Sequence, residues 1–328
     1  MRTRGFFGFF NRHPLWFCFD KDQSCGCYSK IKFKKTMTMN KYFDPIRAAL
    51  LASLSVLSAA VASDIPDEYK IGGFALGCQA YTFNRFSVFD AIAKTAEAGG
   101  KIIEFYPGQK LSNEEPNLKW DHNASDEMIR KVKEQLDKYA IKAVNYGVVS
   151  IPANESEAQK IFEFAKRMGL YGITTESVDN LDTIEKFVKE YNIRVGIHEH
   201  ARRSNDPSYK IWDPNYVLSL IKDRDSRIGS CADTGHWATS GLKPLECIKI
   251  LRGRIISSHL KERGAIGPGN HDVVYGTGLT DIKGILDELK SQGFTGNISI
   301  EYEFNWEHSV ADVAQCIGFV RGYGGATK

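Results

Sequence analysis

Eight apolar runs of strand length punctuate residues 74–303, and every gap between them holds an amphipathic stretch with apolar residues at i, i+3 and i+4. The runs fall at 74–83, 101–107, 142–150, 171–177, 194–201, 227–235, 255–262 and 297–303. The gaps read, for example, DEMIRKVKEQLDKYA and DIKGILDELKSQG; Asp or Ser often stands at the start and Gly often follows the end, as suits helix caps. A last amphipathic stretch, HSVADVAQCIGFV, closes the pattern. Strict alternation predicts an α/β fold with a parallel sheet. Eight units over some 250 residues predict a single (β/α)8 TIM barrel. An open doubly wound sheet has fewer strands, and no GxGxxG follows the first run. The polar stretches 108–125 and 263–279 are expected to reach over one end of the barrel.

Residues 1–62 stand outside this rhythm. Residues 40–62, NKYFDPIRAALLASLSVLSAAVA, pair a basic start with an apolar stretch and an A-x-A site, the layout of a signal peptide. The 36 residues before Met37 have no usable periodicity, and Met37 or Met39 is an alternative start. The expected organisation is a leader at 1–62 and a barrel at 63–328. The chain is then exported to the periplasm, without stable membrane insertion once the signal is cleaved. The leader holds ten Lys and Arg against three Asp and Glu, so the net +3 of the whole chain becomes −4 for the remainder. A mildly acidic protein is a poor candidate for nucleic-acid binding, which rests on neutralising phosphates. Cys78, Cys231, Cys247 and Cys316 are widely spaced and form no CxxC pair, so buried free thiols are expected.

Barrel strands are buried on both faces, and polar residues near their C-terminal ends project into the mouth where barrel active sites lie. Glu104 ends the second strand and Glu176 the fourth. His198 and His200 share a face of the fifth. Asp233 ends the sixth, and the turn after it carries His236. His259 and Lys261 share a face of the seventh, and Glu301 and Glu303 belong to the eighth. Four of the seven histidines beyond residue 62 sit at these ends. Carboxylates cannot all ionise side by side in a low-dielectric mouth unless a cation neutralises them, and mixed carboxylate and imidazole ligands suit a divalent metal. The plainer reading pairs each acid with a rim cation such as Lys261 or Arg263.

The run HEH, DTGHWATSG, IISSHLKE and YGTGLTDIKGILDELKSQGFTGNISIEYE resembles the sugar phosphate isomerase/epimerase family, the xylose-isomerase-like barrels, over most of residues 71–325. The resemblance implies one divalent ion (Mn, Co, Mg or Zn) held by Glu, Asp, His and Glu. It puts these at Asp233, His259 and Glu301, with Glu176 as the first ligand and His198 as the alternative. It further implies a metal that polarises a carbonyl, a carboxylate or His that moves a proton through an enediolate, and a small carbohydrate as substrate. Glu176 and Glu301 are the candidate bases, His200 and His236 steady a sugar hydroxyl, and Lys261 stabilises the enediolate. Glu104, Tyr81, Trp237 and His198 are expected to meet the substrate. The export signal favours a free sugar or keto-sugar over a sugar phosphate. The same site allows a 3-keto-glycoside lyase or hydrolase. An apurinic-endonuclease-like barrel and a non-catalytic sugar-binding barrel are less well matched. The sequence leaves a homo-oligomer open.

Overall fold

The structure, a computed structural model, describes residues 64–326. The expected leader at 1–62 lies outside the described residues. Eight strands form the barrel: β1 Phe74–Gln79, β2 Ile102–Phe105, β3 Lys142–Tyr146, β4 Gly172–Thr175, β5 Arg194–His198, β6 Ile228–Asp233, β7 Ile255–Leu260 and β8 Asn297–Ile300. Each pairs in parallel with the next, and β8 pairs in parallel with β1, which closes the ring. Lys70–Ile71 lies antiparallel against β1, below the ring's first strand.

Nine helices complete the described residues: α1 Val88–Glu97, α2 Asp126–Tyr139, α3 Glu155–Met168, α4 Leu181–Tyr191, α5 Pro214–Ile221, α6 Thr234–Thr239, α7 Pro244–Ile250, α8 Ile282–Ser291 and α9 Val310–Ala326. Local chemistry sets their ends. Ser87 and Asp90 form a capping box at α1, and the Ser125, Asn154, Asp213 and Asp281 side chains each accept a backbone N–H at the start of α2, α3, α5 and α8. Left-handed Ala140, Gly169 and Asn192 stop α2, α3 and α4.

The strands are shorter at their C-terminal ends than the apolar runs suggest. The ladder stops at Thr175 and Ile300, so Glu176 and Glu301 sit just past it. β1 gives way at Ala80 to a 3-10 turn that ends at Phe83. These are the points where backbone leaves the wall to carry side chains over the mouth. The two polar stretches are anchored by short antiparallel ladders, Gln109–Lys110 with Lys119–Trp120 and Glu262–Arg263 with Asp272–Val273. Trp120 is fully buried, edge-on to Phe105 at 5.6 Å and Phe164 at 5.2 Å, so the first stretch is pinned to the core rather than draped over it. The four cysteines are buried and free, as expected. Among the described residues, no helix is long and apolar enough to cross a membrane.

Candidate metal centre and active site

Asp233 closes β6 and caps the six-residue helix α6. Its Oδ1 accepts the His236 backbone N–H at 2.7 Å. The sequence predicts a turn here, and the structure has a helix, because six residues are too few for periodicity to register. With Oδ1 engaged, Oδ2 points into the mouth, buried and without a hydrogen bond, 3.1 Å from the Lys261 ammonium.

Three further side chains meet it. His259 is level with Asp233 across the β6–β7 ladder, and His198 ends β5. Glu301 lies two residues past Ser299, which is level with His259. His198 Nε2 is 3.4 Å and His259 Nδ1 3.7 Å from Asp233 Oδ2, while His259 Nδ1 is 3.3 Å from Glu301 Oε2. One donor atom from each of His198, Asp233, His259 and Glu301 lies within 4.8 Å of all the others. His198 Nε2, Asp233 Oδ2 and His259 Nδ1 are all buried without a hydrogen-bond partner. Buried polar atoms are almost always paired, so two unpartnered imidazole nitrogens converging on two buried carboxylates fit an ion in the middle. Two imidazoles and two carboxylates form a donor set suited to a divalent transition metal. This cluster could hold a metal.

Glu176, expected as the first ligand, stands one layer outside. Its Oε1 is 3.2 Å from His198 Nδ1, and its Oε2 accepts from the Tyr209 hydroxyl at 3.0 Å and faces Arg203 at 3.7 Å. His198 occupies the inner position, and Glu176 orients its ring from behind, a common arrangement around ligating imidazoles. Glu104, expected against substrate, lies beneath the cluster and is fully buried. Its Oε1 accepts from Thr174 at 2.9 Å, its Oε2 from Ser299 at 2.8 Å, and His259 Nε2 stands 3.1 Å away. Trp237 is also fully buried, on the core side of α6, and does not line the mouth. Tyr81 does line it, half-exposed and edge-on to Tyr106 at 5.2 Å and Trp306 at 5.8 Å.

Lys261 is wholly buried. Its ammonium lies 3.1 Å from Asp233 Oδ2, 2.6 Å from Glu301 Oε2 and 2.8 Å from Glu303 Oε2. It balances carboxylate charge under the mouth rather than facing the pocket. Its stem runs beneath α6 because residue 235 is glycine: a Cβ there would stand 2.6 Å from Lys261 Cδ. Burial disfavours the ammonium, but Asp233, Glu301 and Glu303 outweigh it and hold Lys261 charged. Burial likewise pushes the Asp233 and Glu301 carboxyls up, yet their neighbours hold both ionised: Lys261 with the His198 and His259 rings at Asp233, Lys261 and His259 at Glu301.

A pocket of about 260 Å3 opens above the cluster, walled by Glu176, His198, His200, His236, Glu301 and Glu303 on one side and by Gln79, Tyr81, Tyr106 and Val148 on the other. Burial depresses both His200 and His236, so both rings are neutral, their centroids 4.1 Å apart. Gln79, Tyr209 and Arg203 escaped the sequence reading. Gln79 lies inside an apolar run, held by Gly147 O at 2.7 Å and by the Tyr81 N–H. Tyr209 and Arg203 lie in the aperiodic stretch after β5, where nothing in the sequence singles them out.

The family model described as xylose isomerase-like TIM barrel matches residues 92–319 of the chain. Solved structures superpose on it. A protein of unassigned function from Parabacteroides distasonis ATCC 8503 is 29% identical, with a TM-score of 0.61, covering 75% of this chain and 98% of its own. A xylose isomerase-like TIM barrel protein from Mycobacterium smegmatis in complex with magnesium is 13% identical, with a TM-score of 0.60 and coverage of 77% and 97%. D-allulose 3-epimerase from Methylomonas sp. in complex with D-allulose is 16% identical, with a TM-score of 0.55 and coverage of 76% and 96%. At the last two identities the likeness is one of fold. No curated protein matches the chain.

Proposed function

The chain belongs to the xylose isomerase-like TIM barrel family, and on that premise we propose that it is a divalent-metal-dependent isomerase or epimerase of a free sugar or keto-sugar. The observation that carries this reading is the convergence of two unpartnered, buried imidazole nitrogens, of His198 and His259, on the buried carboxylates of Asp233 and Glu301 at the floor of a pocket sized for a small molecule. These four residues would hold the ion. When bound, a divalent ion at this position polarises a carbonyl and acidifies the neighbouring C–H. The chain's own side chains do the rest. Glu301, ionised, stands at the pocket floor as the base that takes a proton from that carbon. The neutral pair His200 and His236 faces the same space and donates to or accepts from a sugar hydroxyl. Glu176 fixes the His198 ring, and Lys261 keeps Asp233 and Glu301 charged. Tyr81 and Tyr106 offer ring surface to the sugar's apolar face.

A larger pocket beyond Glu176 favours a second reading of the same centre, elimination across a 3-keto-glycoside, because a substrate with two parts has somewhere to put the second. Metal analysis of the purified protein tests the common premise. Wild type is expected to carry close to one divalent ion per chain and Asp233→Ala only background; an Asp233→Ala protein that binds as much as wild type rules the site out. Incubating the loaded protein with free sugars in D2O then separates the readings. Proton exchange and isomer formation support the first, and release of an aglycone from a 3-keto-glycoside supports the second.

A further inference from the structure

The loop between β5 and α5 encloses a second pocket of about 510 Å3, larger than the one over the cluster. The two share a wall. Glu176 lines the mouth, while Tyr209 and Arg203, which line the second pocket, hold its outer oxygen. Glu176 and the pair that holds it are therefore the boundary between the two spaces.

The lining is cationic and aromatic. Arg203 lies over the Tyr209 ring at 3.7 Å, and Arg202 over the Trp212 ring at 5.0 Å. Of the acids in the wall, Asp206 accepts from the Ser208 hydroxyl and backbone and Asp213 caps α5, so both are already turned into the loop's own framework. Arg203 looks toward Glu176. Among the described residues, Arg202 and Lys210 have no carboxylate within ion-pair distance, although three cations line this one pocket. A guanidinium beside an indole, with no carboxylate partner, is suited to a planar anion that can accept two parallel hydrogen bonds. The adjoining Trp212 and Tyr216 faces suit a pyranose ring.

We propose that this pocket is a binding subsite for a carboxylate-bearing sugar, a uronic acid, joined to the sugar that sits over the cluster, so that the substrate is an acidic disaccharide or glycoside. Arg202 and Lys210 receive the carboxylate, and Trp212 supports the ring. The inference rests on the reading of the mouth as a sugar site, and it assigns that site its substrate class.

The test measures calorimetric binding of D-glucuronate and D-glucose to the full, metal-loaded chain, to Arg202→Ala/Lys210→Ala, and to Asp233→Asn. Arg202 and Lys210 are exposed, so their loss leaves the fold intact. Wild type is expected to prefer glucuronate about tenfold or more, with the preference shrinking as salt rises. The double variant is expected to bind the two sugars alike. Equal binding of both sugars by wild type, or an undiminished preference in the double variant, overturns the proposal. Asp233→Asn separates this outcome from the metal reading: it is expected to lose metal yet keep the preference for glucuronate. Retained metal in that variant would count against the metal centre alone.

Discussion

Two layers of buried polar side chains sit one above the other inside the barrel, and they are finished differently. In the lower layer Glu104 gathers a chain of hydrogen bonds. Asn145 Nδ2 donates to Thr174 Oγ1 at 2.8 Å, Thr174 to Glu104 Oε1 at 2.9 Å, Ser299 to Glu104 Oε2 at 2.8 Å, and Asn297 to Ser299 at 2.8 Å. In the upper layer, His198 Nε2 and His259 Nδ1 make no hydrogen bond, and Asp233 Oδ2 faces them with the Lys261 ammonium 3.1 Å behind it. A closed network rigidifies, whereas an open one costs stability unless something else completes it. The lower layer is scaffold. The upper layer is a receptacle, and His259, between Glu104 below and Asp233 above, joins the two.

The sharpest way to break this contrast is to open the lower layer. Glu104→Ala strands two hydroxyls and removes the partner of the His259 ring, and loss of one member of a buried ionic network costs about 3–5 kcal/mol. Thermal denaturation of the metal-free protein should register it, and an unchanged Tm would show that the lower layer is not scaffold. Gly235→Ala presses a methyl against the Lys261 stem and should cost about 1–3 kcal/mol by overpacking. The same change should weaken metal binding, because displaced Lys261 no longer balances Asp233 and Glu301. Unaltered stability and metal titration would count against the packing account.

Acidity sharpens the comparison further. Burial alone would depress the His198 imidazole, but the Asp233 and Glu176 carboxylates, 3.4 Å and 3.2 Å away, outweigh that and raise it from 6.5 to about 10. In the metal-free protein this protonated ring contributes stability that is complete below about pH 6.5 and is lost as pH rises toward about 10. A metal needs the ring deprotonated, so over the same window its affinity should climb about tenfold per pH unit for each proton displaced. Metal titrations at several pH values should show affinity rising while apo stability falls; parallel trends would contradict the assignment of His198 to the receptacle. The smallest effect belongs to Tyr209→Phe, which removes one hydrogen bond to Glu176 and should cost about 1 kcal/mol in stability.

Much of the fold could be read before any coordinates. The eight runs and the helices between them fall where periodicity puts them, because parallel strands buried on both faces and amphipathic helices leave strong marks in sequence. Asp233, His259 and Glu301 were legible as a set for the same reason: knowing a strand's end fixes which side chains enter the mouth. Depth was not legible. Glu104 and Glu176 both lie near strand ends, yet one lies below the cluster and the other beside it, since the stagger between neighbouring strands decides the level and no single sequence displays stagger. Trp237 was misread because α6 is too short to show which way its faces turn.

Asp233 uses its two oxygens for unlike purposes, one to start a helix and one to face the receptacle. That division narrows what the position can accept. Asparagine would still start α6 but would bring no charge; glutamate would bring charge on a longer arm that no longer reaches the His236 N–H. In a saturation library scored once for folding and once for metal retention, residue 233 should therefore separate the two scores at asparagine and satisfy both only with aspartate.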